Sequence, residues 1–258
     1  MPTSPHALLS RLNDIAQVVA QTGHALALLG LGSVGRELAR LDRWSDLDFF
    51  VIARPGQVGP FLDSAWLAQA APLAYTFRNT PDGAKVLFGD GLYAEYAAFE
   101  AARLPELPLA GARVVWAAPD FSGLLPEGEA ALAGPITPAQ HAHHLGEALT
   151  NLLVGLGRYG RGERLSALKF VQDYALGHVL ALEAARGALP ATGADPFSPE
   201  RRLEARAPGL AARLPAFTPG YAGTPQAALA LLAHLEAHEP VPPALSRAIR
   251  AAAQAAGD

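Results

Sequence analysis

Residues 30–53 read GLGSVGRELARLDRWSDLDFFVIA, and the order of features in this stretch decides the fold. The apolar run from Ala25 to Leu29 comes directly before the glycines and predicts a buried strand. A helix is predicted from Val34 to Leu41, followed by a polar turn over 42–45. The apolar run Asp46–Ala53 then predicts a second strand, which carries its acidic residues at its start.

The two aspartates at the start of the second strand form the first candidate site. Side chains alternate along a strand, so Asp46 and Asp48 are predicted to project from the same face. Two carboxylates roughly 7 Å apart on one strand face can jointly hold divalent metal ions. Mg²⁺ suits such a site because it prefers oxygen ligands and is commonly shared between carboxylates and substrate phosphates.

The glycine-rich turn offers backbone N–H groups to a phosphate. Gly32 allows close approach to the main chain, and the N–H groups of Gly32 and Ser33 begin the predicted helix, where anions are favoured. The range Gly30–Gly35 also satisfies G-x-G-x-x-G, the fingerprint of dinucleotide-binding proteins. That fingerprint requires an acidic residue at the end of the second strand, which here ends at Ala53-Arg54. A non-enzymatic Rossmann-like dinucleotide-binding protein is therefore the weaker alternative.

The stretch Gly32–Asp48 resembles the signature of the nucleotidyltransferase superfamily that includes DNA polymerase β. It is most similar to the aminoglycoside and lincosamide nucleotidyltransferases, in which a Gly-Ser turn precedes a Ser-Asp-x-Asp/Glu strand by about this distance. The resemblance implies an α+β fold, with a mixed sheet and flanking helices carrying the metal site, followed by an all-α helical domain. It further implies that the triphosphate contacts Gly32, Ser33, Arg36 and Ser45, and that Mg²⁺ is bound by Asp46 and Asp48.

The same family uses a third carboxylate on a later strand, as a metal ligand or as a general base. Residues 92–99 read LYAEYAAF and predict that strand, in which Glu95 is the only acidic residue. A carboxylate within an apolar strand needs a partner, and a metal site supplies one. Glu95 is therefore the preferred third catalytic and metal-binding acid. Glu100, at the strand end and with opposite side-chain parity, is the alternative.

The character of the sequence changes after about residue 120, which predicts a catalytic domain over 1–120 and a helical domain over 121–258. In the first part a helix begins after Ser4 and ends at Gly23. The remaining patterns predict a helical segment over 58–70, strands over 73–79, 84–88 and 113–117, later helices over 139–156, 163–186, 224–236 and 243–255, and an irregular connection over 187–223.

The stretch 151–174 resembles the helical region of the antibiotic-modifying branch. The resemblance implies that Lys169 binds the β- or γ-phosphate, where a positioned cation stabilises the leaving pyrophosphate. The alternative is an ion pair between Lys169 and Asp173 on a solvated helix face.

The bulk composition narrows the function classes. The formal net charge is −4 with no basic block, which argues against a dedicated nucleic-acid binder. The absence of cysteine excludes disulfides, thiolate catalysis and cysteine-ligated zinc. No signal-peptide pattern begins the sequence and no apolar run of about 18 residues occurs in it, so a cytoplasmic protein without a membrane partner is expected.

The preferred interpretation is a Mg²⁺-dependent transfer of a nucleoside monophosphate from ATP, or another NTP, to a hydroxyl of a small molecule. Family acceptors include aminoglycosides, so an antibiotic-like acceptor is expected from the resemblance. The alternative within the same superfamily is a toxin–antitoxin nucleotidyltransferase that modifies a protein or an RNA. The predicted helical domain disfavours that alternative.

Overall fold

The computed structural model divides the chain into two compact units, Met1–Ala131 and Leu132–Asp258. Each unit has its own hydrophobic core. The structure describes residues 4–107, 109, 111–123, 125, 136–190 and 200–257.

A six-stranded mixed sheet forms the centre of the first unit. Its strands are β1 (Ala25–Gly30), β2 (Leu47–Ala53), β3 (Leu73–Phe77), β4 (Gly83–Phe88), β5 (Tyr93–Glu100) and β6 (Arg113–Ala117). Their order across the sheet is β3-β4-β5-β2-β1-β6. The pairing of β2 with β5 is parallel, and the other neighbouring pairs are antiparallel. Every strand predicted from the sequence is present, with ends that differ by at most two residues.

Helix α1 (Pro5–Thr22) covers one face of this sheet. The Ser4 hydroxyl accepts a hydrogen bond from the backbone N–H of Ala7 and caps the helix start. Gly23 ends the helix in the left-handed region, with φ of 68°. The apolar residues that the helical period places on one side are all buried against the sheet: Leu8, Leu12, Ile15 and Val19.

The predicted helical segment over 58–70 is a short helix α2 (Gly59–Leu62) followed by a 3₁₀ segment over Ser64–Gln69. It covers the same sheet face as α1. Trp66 packs edge-on against the rings of Phe61 and Tyr96, with centroid distances of 5.4 and 5.5 Å. This aromatic cluster closes the core beneath the strand face opposite to Asp48.

The predicted helix from Val34 to Leu41 is wrong. The structure has two separate 3₁₀ turns there, Gly32–Val34 and Leu38–Arg40. Gly35 lies so close to another loop that an added Cβ would sit 2.4 Å from the carbonyl oxygen of Gly111. The next residue, Arg36, donates its backbone N–H to that same oxygen. Pairing with a distant loop therefore replaces the i→i−4 bonds that a helix would need.

Helices make up the second unit. They are α3 (Pro138–Gly160), α4 (Arg164–Leu168), α5 (Leu176–Ala185), α6 (Leu203–Arg206), α7 (Pro208–Ala211), α8 (Leu214–Phe217), α9 (Thr224–His238) and α10 (Pro243–Gly257). The prediction of an α+β fold followed by a helical region is confirmed. The segment predicted to be irregular contains the three short helices α6, α7 and α8, and its residues 191–199 lie outside the described residues. No helix in the described part has the length and apolar character needed to span a bilayer.

A π-helical segment, Lys169–Ala175, joins α4 to α5. The sequence predicts one helix over 163–186, and the structure interrupts it at this point. The segment buries Gln172, whose amide nitrogen donates to the carbonyl of Gly220 and to the hydroxyl of Thr224. Single turns of π-helix recur at functional positions, but here the local consequence is a satisfied buried amide in the core of the unit.

Candidate active site

The turn after β1 places two backbone N–H groups beside a carboxylate. Gly32 has a φ of +52°, a left-handed conformation that favours glycine. A Cβ added there would lie 3.2 Å from Oδ2 of Asp48. Within the described residues, the N–H groups of Gly32 and Ser33 make no backbone hydrogen bond, whereas those of Val34 and Gly35 do. The turn thus presents two N–H donors next to an acid.

Strand β2 carries one of the predicted aspartates, and the other lies just before it. Asp46 and Asp48 are both half-buried. The carbonyl oxygen of Asp48 accepts a hydrogen bond from the N–H of Leu31 at 2.8 Å, which fixes β2 against the glycine turn. In the described part of the chain the carboxylate of Asp46 makes no hydrogen bond or ion pair. It is therefore available to a cation.

The third predicted acid lies on the neighbouring parallel strand. In the register of β2 with β5, Glu95 is the direct partner of Asp48, so their side chains share a face on strands about 4.8 Å apart. Glu100, the alternative, pairs in register with Ala53 at the other end of the strands, and its carboxylate accepts the N–H of Gly56. The geometry thus brings Glu95, and not Glu100, beside Asp48.

Two side chains that the sequence interpretation missed contact Glu95. The ammonium of Lys85 lies 2.9 Å from Oε1, and the hydroxyl of Tyr93 donates to the same oxygen at 2.8 Å. The hydrogen bond and charge of Glu95 raise the pKa of Lys85. Burial, followed by the hydrogen bond to Glu95, raises the pKa of Tyr93 to about 12. Both groups are therefore hydrogen-bond donors to this carboxylate at neutral pH.

The other predicted phosphate contacts surround the turn, and some already have protein partners. The hydroxyl of Ser33 makes no hydrogen bond within the described residues. Arg36 donates its Nε to the carbonyl of Ala112 at 3.0 Å. The hydroxyl of Ser45 accepts the N–H of Asp42 and donates to the carboxylate of the same residue, which shapes the turn before β2.

Arg113, on β6, is a further residue that the sequence interpretation missed. Its guanidinium donates to the carbonyl oxygens of Val34 and Gly35, at 3.0 and 3.1 Å. Because those carbonyls belong to the glycine turn, Arg113 holds the backbone of the candidate phosphate site. The only sequence signal was a basic residue at the start of a strand, which by itself predicts nothing specific.

Lys169 lies in the second unit, at the start of the π-helical segment, and is exposed. Within the described residues it makes no ion pair, so the alternative pairing with Asp173 is not formed. Its assignment to the β- or γ-phosphate stays a prediction from the family resemblance.

The chemistry of the donor set fits Mg²⁺, because Asp46, Asp48 and Glu95 offer only oxygen ligands. In the described part of the chain, however, no three carboxylate or imidazole side chains converge closely enough to share one ion. Lys85 and Tyr93 already donate hydrogen bonds to Glu95. The assignment of all three acids to the metal stays a prediction.

The dinucleotide-binding alternative does not agree with the topology. A Rossmann unit needs parallel strands joined by a crossover helix, whereas β1 and β2 are antiparallel and joined by two 3₁₀ turns. The outer glycines of the fingerprint have packing roles instead. A Cβ at Gly30 would lie 2.5 Å from the carbonyl oxygen of Val34, and Gly35 approaches the loop at Gly111.

No protein-family model matches the chain, and no curated protein sequence matches it. Among solved structures, the chain is similar to an aminoglycoside 6-adenyltransferase from Bacillus subtilis, with 12% identity and a TM-score of 0.36, over 97% of this chain and 91% of that one. A TM-score this low does not establish a common fold.

Proposed function

We propose that the protein is a Mg²⁺-dependent nucleotidyltransferase that moves a nucleoside monophosphate, AMP from ATP, to a hydroxyl of a small molecule. One observation carries this proposal. The glycine turn lies directly against Asp48, and Glu95 is the register partner of Asp48 on the next strand. The N–H groups proposed to bind phosphate and two of the proposed acids thus lie at one end of the β2–β5 pair.

The triphosphate is held by the turn and its neighbours. The N–H groups of Gly32 and Ser33 donate to phosphate oxygens, because successive backbone N–H groups beside a left-handed residue form an anion-binding concavity. The hydroxyl of Ser33, the remaining N–H groups of Arg36 and the hydroxyl of Ser45 add contacts. Lys169 is assigned to the leaving phosphates by the family resemblance alone.

The reaction is an in-line displacement at the α-phosphorus. A bond forms from the acceptor oxygen to this phosphorus, and the bond to the bridging oxygen breaks, so its electron pair leaves with pyrophosphate. The acceptor proton passes to Glu95 when the hydroxyl lies within hydrogen-bond reach. Asp46 and Asp48 would hold the Mg²⁺, which would supply positive charge to the reacting phosphate oxygens.

A small hydroxylated acceptor is favoured, of the aminoglycoside or lincosamide type, with antibiotic resistance as the corresponding role. This choice rests on the branch that the motif from Gly32 to Asp48 resembles. The formal net charge of −4 is compatible with a cationic acceptor, because like charges would disfavour the encounter of a cationic ligand with a basic protein.

The first experiment is calorimetric titration of ATP and GTP into the full chain, with and without Mg²⁺. We expect Mg²⁺-dependent binding that is lost in Asp46→Asn and Asp48→Asn and retained in Asp14→Asn, an exposed acid on α1. Acceptors are then screened for pyrophosphate release. Unchanged turnover in the Asp46→Asn/Asp48→Asn double variant contradicts the proposal, as does metal-independent binding of NADH in place of ATP.

A further inference from the structure

The two hydrogen bonds to Glu95 fall on the same oxygen. The ammonium of Lys85 and the hydroxyl of Tyr93 both donate to Oε1, at 2.9 and 2.8 Å. Within the described residues, Oε2 makes no hydrogen bond or ion pair. One carboxylate oxygen is therefore fixed by protein donors while the other remains available to a substrate.

The sheet register explains why Lys85 lies there. On one side Glu95 is the partner of Asp48, and on the other side it is the partner of Lys85. The carboxylates of Asp48 and Glu95 and the ammonium of Lys85 thus belong to one row of residues across β2, β5 and β4. Two adjacent carboxylates repel each other unless a cation lies near, and Lys85 supplies that positive charge from the side of Glu95 that is opposite to Asp48.

We propose that Lys85 and Tyr93 are positioning residues that hold Glu95 out of the metal's ligand set and direct Oε2 towards the acceptor hydroxyl. This inference rests on the proposed function and decides between the two roles of the third acid. Metal coordination at Oε1 would compete with two hydrogen bonds for its lone pairs, and would bring a dication towards a fixed ammonium. Mg²⁺ is then held by Asp46 and Asp48, and Glu95 takes the proton.

A simple surface ion pair is the competing explanation. The side chains of Lys85 and Glu95 are 37% and 36% exposed, and exposed ion pairs contribute little to stability. A pair of that kind predicts little change in stability and none in catalysis when Lys85 is replaced. The hydroxyl of Tyr93 on the same oxygen argues for a positioned carboxylate, and the experiment measures catalysis and metal binding separately.

The metal-binding measurement is a Mn²⁺ titration of the full chain, followed by the electron paramagnetic resonance signal of free Mn²⁺. We expect Asp48→Asn to abolish binding and Glu95→Gln to raise the Kd for Mn²⁺ less than fivefold. Glu106→Gln, an exposed acid paired with Arg103 in the same unit, is the control for the loss of one charge. A loss of fivefold or more in Glu95→Gln overturns the inference.

The catalytic measurement compares Lys85→Met, Lys85→Arg and Tyr93→Phe in pyrophosphate release. We expect Lys85→Met and Tyr93→Phe to lower kcat at least tenfold, with the KM for ATP changed less than twofold. Lys85→Arg should recover most of the rate because a guanidinium also donates to Oε1. Unchanged kcat in Lys85→Met overturns the positioning role.

The two arms separate the failure of this inference from failure of the proposed function. A wild-type chain that binds no Mn²⁺ and releases no pyrophosphate with any acceptor refutes the proposed function. A wild-type chain that does both, but loses Mn²⁺ in Glu95→Gln or keeps its kcat in Lys85→Met, refutes only the roles given to Lys85 and Tyr93.

Discussion

Gly32 is the residue at which backbone conformation and the candidate chemistry meet. Its positive φ and its contact with Asp48 both disfavour a side chain. The sequence predicts that Gly32 contacts phosphate, which stays a prediction. Alternation along a strand predicted Asp46 and Asp48, and the family resemblance supplied Glu95. The sequence did not predict the roles of Lys85, Tyr93 or Arg113. The face on which a side chain lies follows from the local sequence, but its partners on neighbouring strands depend on the order of the strands in the sheet.

Replacing Gly32 with alanine tests the constraint at this position. A left-handed conformation costs an L-residue about 1–2 kcal/mol, and the methyl group would also press on Oδ2 of Asp48. We expect Gly32→Ala to lower the free energy of unfolding by at least that amount in urea titrations. Gly59→Ala is the matched control, because its added Cβ meets nothing within 4 Å. Equal effects of the two substitutions would contradict the argument.

Arg113 provides a second test at the residue scale. Its guanidinium contacts two carbonyls of the glycine turn, and the single ammonium of lysine cannot reproduce that fork. We expect Arg113→Lys to lower the free energy of unfolding by about 1 kcal/mol and to weaken Mg²⁺-ATP binding severalfold in calorimetry. Arg103→Lys, in an exposed ion pair, should change neither. Unaltered ATP affinity in Arg113→Lys would show that the turn does not need this clamp.

At the scale of elements, local sequence gave the strands and the long helices but failed where distant contacts dominate. Apolar alternation and capping residues determine α1 and β2, and the structure has both. The helix predicted from Val34 to Leu41 fails because Gly35 and Arg36 contact the loop at Gly111, which is remote in sequence. The π-helical segment was equally unpredictable, since Gln172 finds its partners on residues that follow it by 48 and 52 positions.

Gln172 is expected to stabilise the π-helical segment through its side-chain hydrogen bonds. Its side chain donates to Gly220 and Thr224, and its Oε1 accepts the N–H of Gly220 at 3.0 Å. Gln172→Leu removes these partners of the Gly220 N–H and the Thr224 hydroxyl, while the Gly220 carbonyl keeps the N–H of Gly223. We therefore expect a loss of about 2–3 kcal/mol in the free energy of unfolding. Asp173→Ala, an exposed change in the same segment, should stay within about 0.5 kcal/mol. Both free energies of unfolding are measured by urea titration. A similar loss in the two variants would show that any change in this segment destabilises the protein, and that the hydrogen bonds of the Gln172 amide are not the cause.

The whole chain folds as two units with separate cores, each with its own stabilising contacts. In the second unit a chain of polar contacts runs from Arg213 through His234 to Glu183 and on to Arg186. Its two central residues, His234 and Glu183, are buried. The guanidinium of Arg213 donates to Nδ1 of His234, so this nitrogen carries no proton and the imidazole is neutral. The imidazole then donates from Nε2 to Glu183 at 2.7 Å. Nothing in the sequence predicted this contact between α5 and α9, because neither residue belongs to a motif.

That chain makes the stability of the second unit depend on pH. Burial lowers the pKa of His234, and the nearby His238 and Arg213 lower it further. Glu183 acts in the opposite direction but does not outweigh them. A lowered folded pKa gives stability that is present above pH 6.5 and is lost as the pH falls through the folded value. Burial alone would raise the pKa of Glu183, but hydrogen bonds and charge from Arg186 and His234 lower it. Protonation of Glu183 therefore causes a further loss of stability below pH 4.5.

We therefore expect the midpoint of thermal unfolding to fall between pH 7 and pH 5, and to fall further below pH 4.5. His234→Gln keeps a donor and an acceptor but cannot titrate. Between pH 7 and pH 5 it should therefore reduce the dependence of the free energy of unfolding on pH by up to about 1.4 kcal/mol per pH unit, the value for one proton. His24→Gln, an exposed histidine of the first unit, is the control. Identical pH profiles for wild type and His234→Gln would rule out this histidine as the cause.

The parallel pairing of β2 with β5 also determines when the candidate site is assembled during folding. Strands β3, β4 and β5 are joined by short connections, so they pair quickly, whereas Asp48 and Glu95 are 47 positions apart. Closing a long loop costs entropy before the contacts that repay it can form. The candidate acids Asp48 and Glu95 thus come together through a slow, non-local step. Refolding chains should regain strand signal before they regain nucleotide binding, and mutations that weaken this pairing should lengthen that delay.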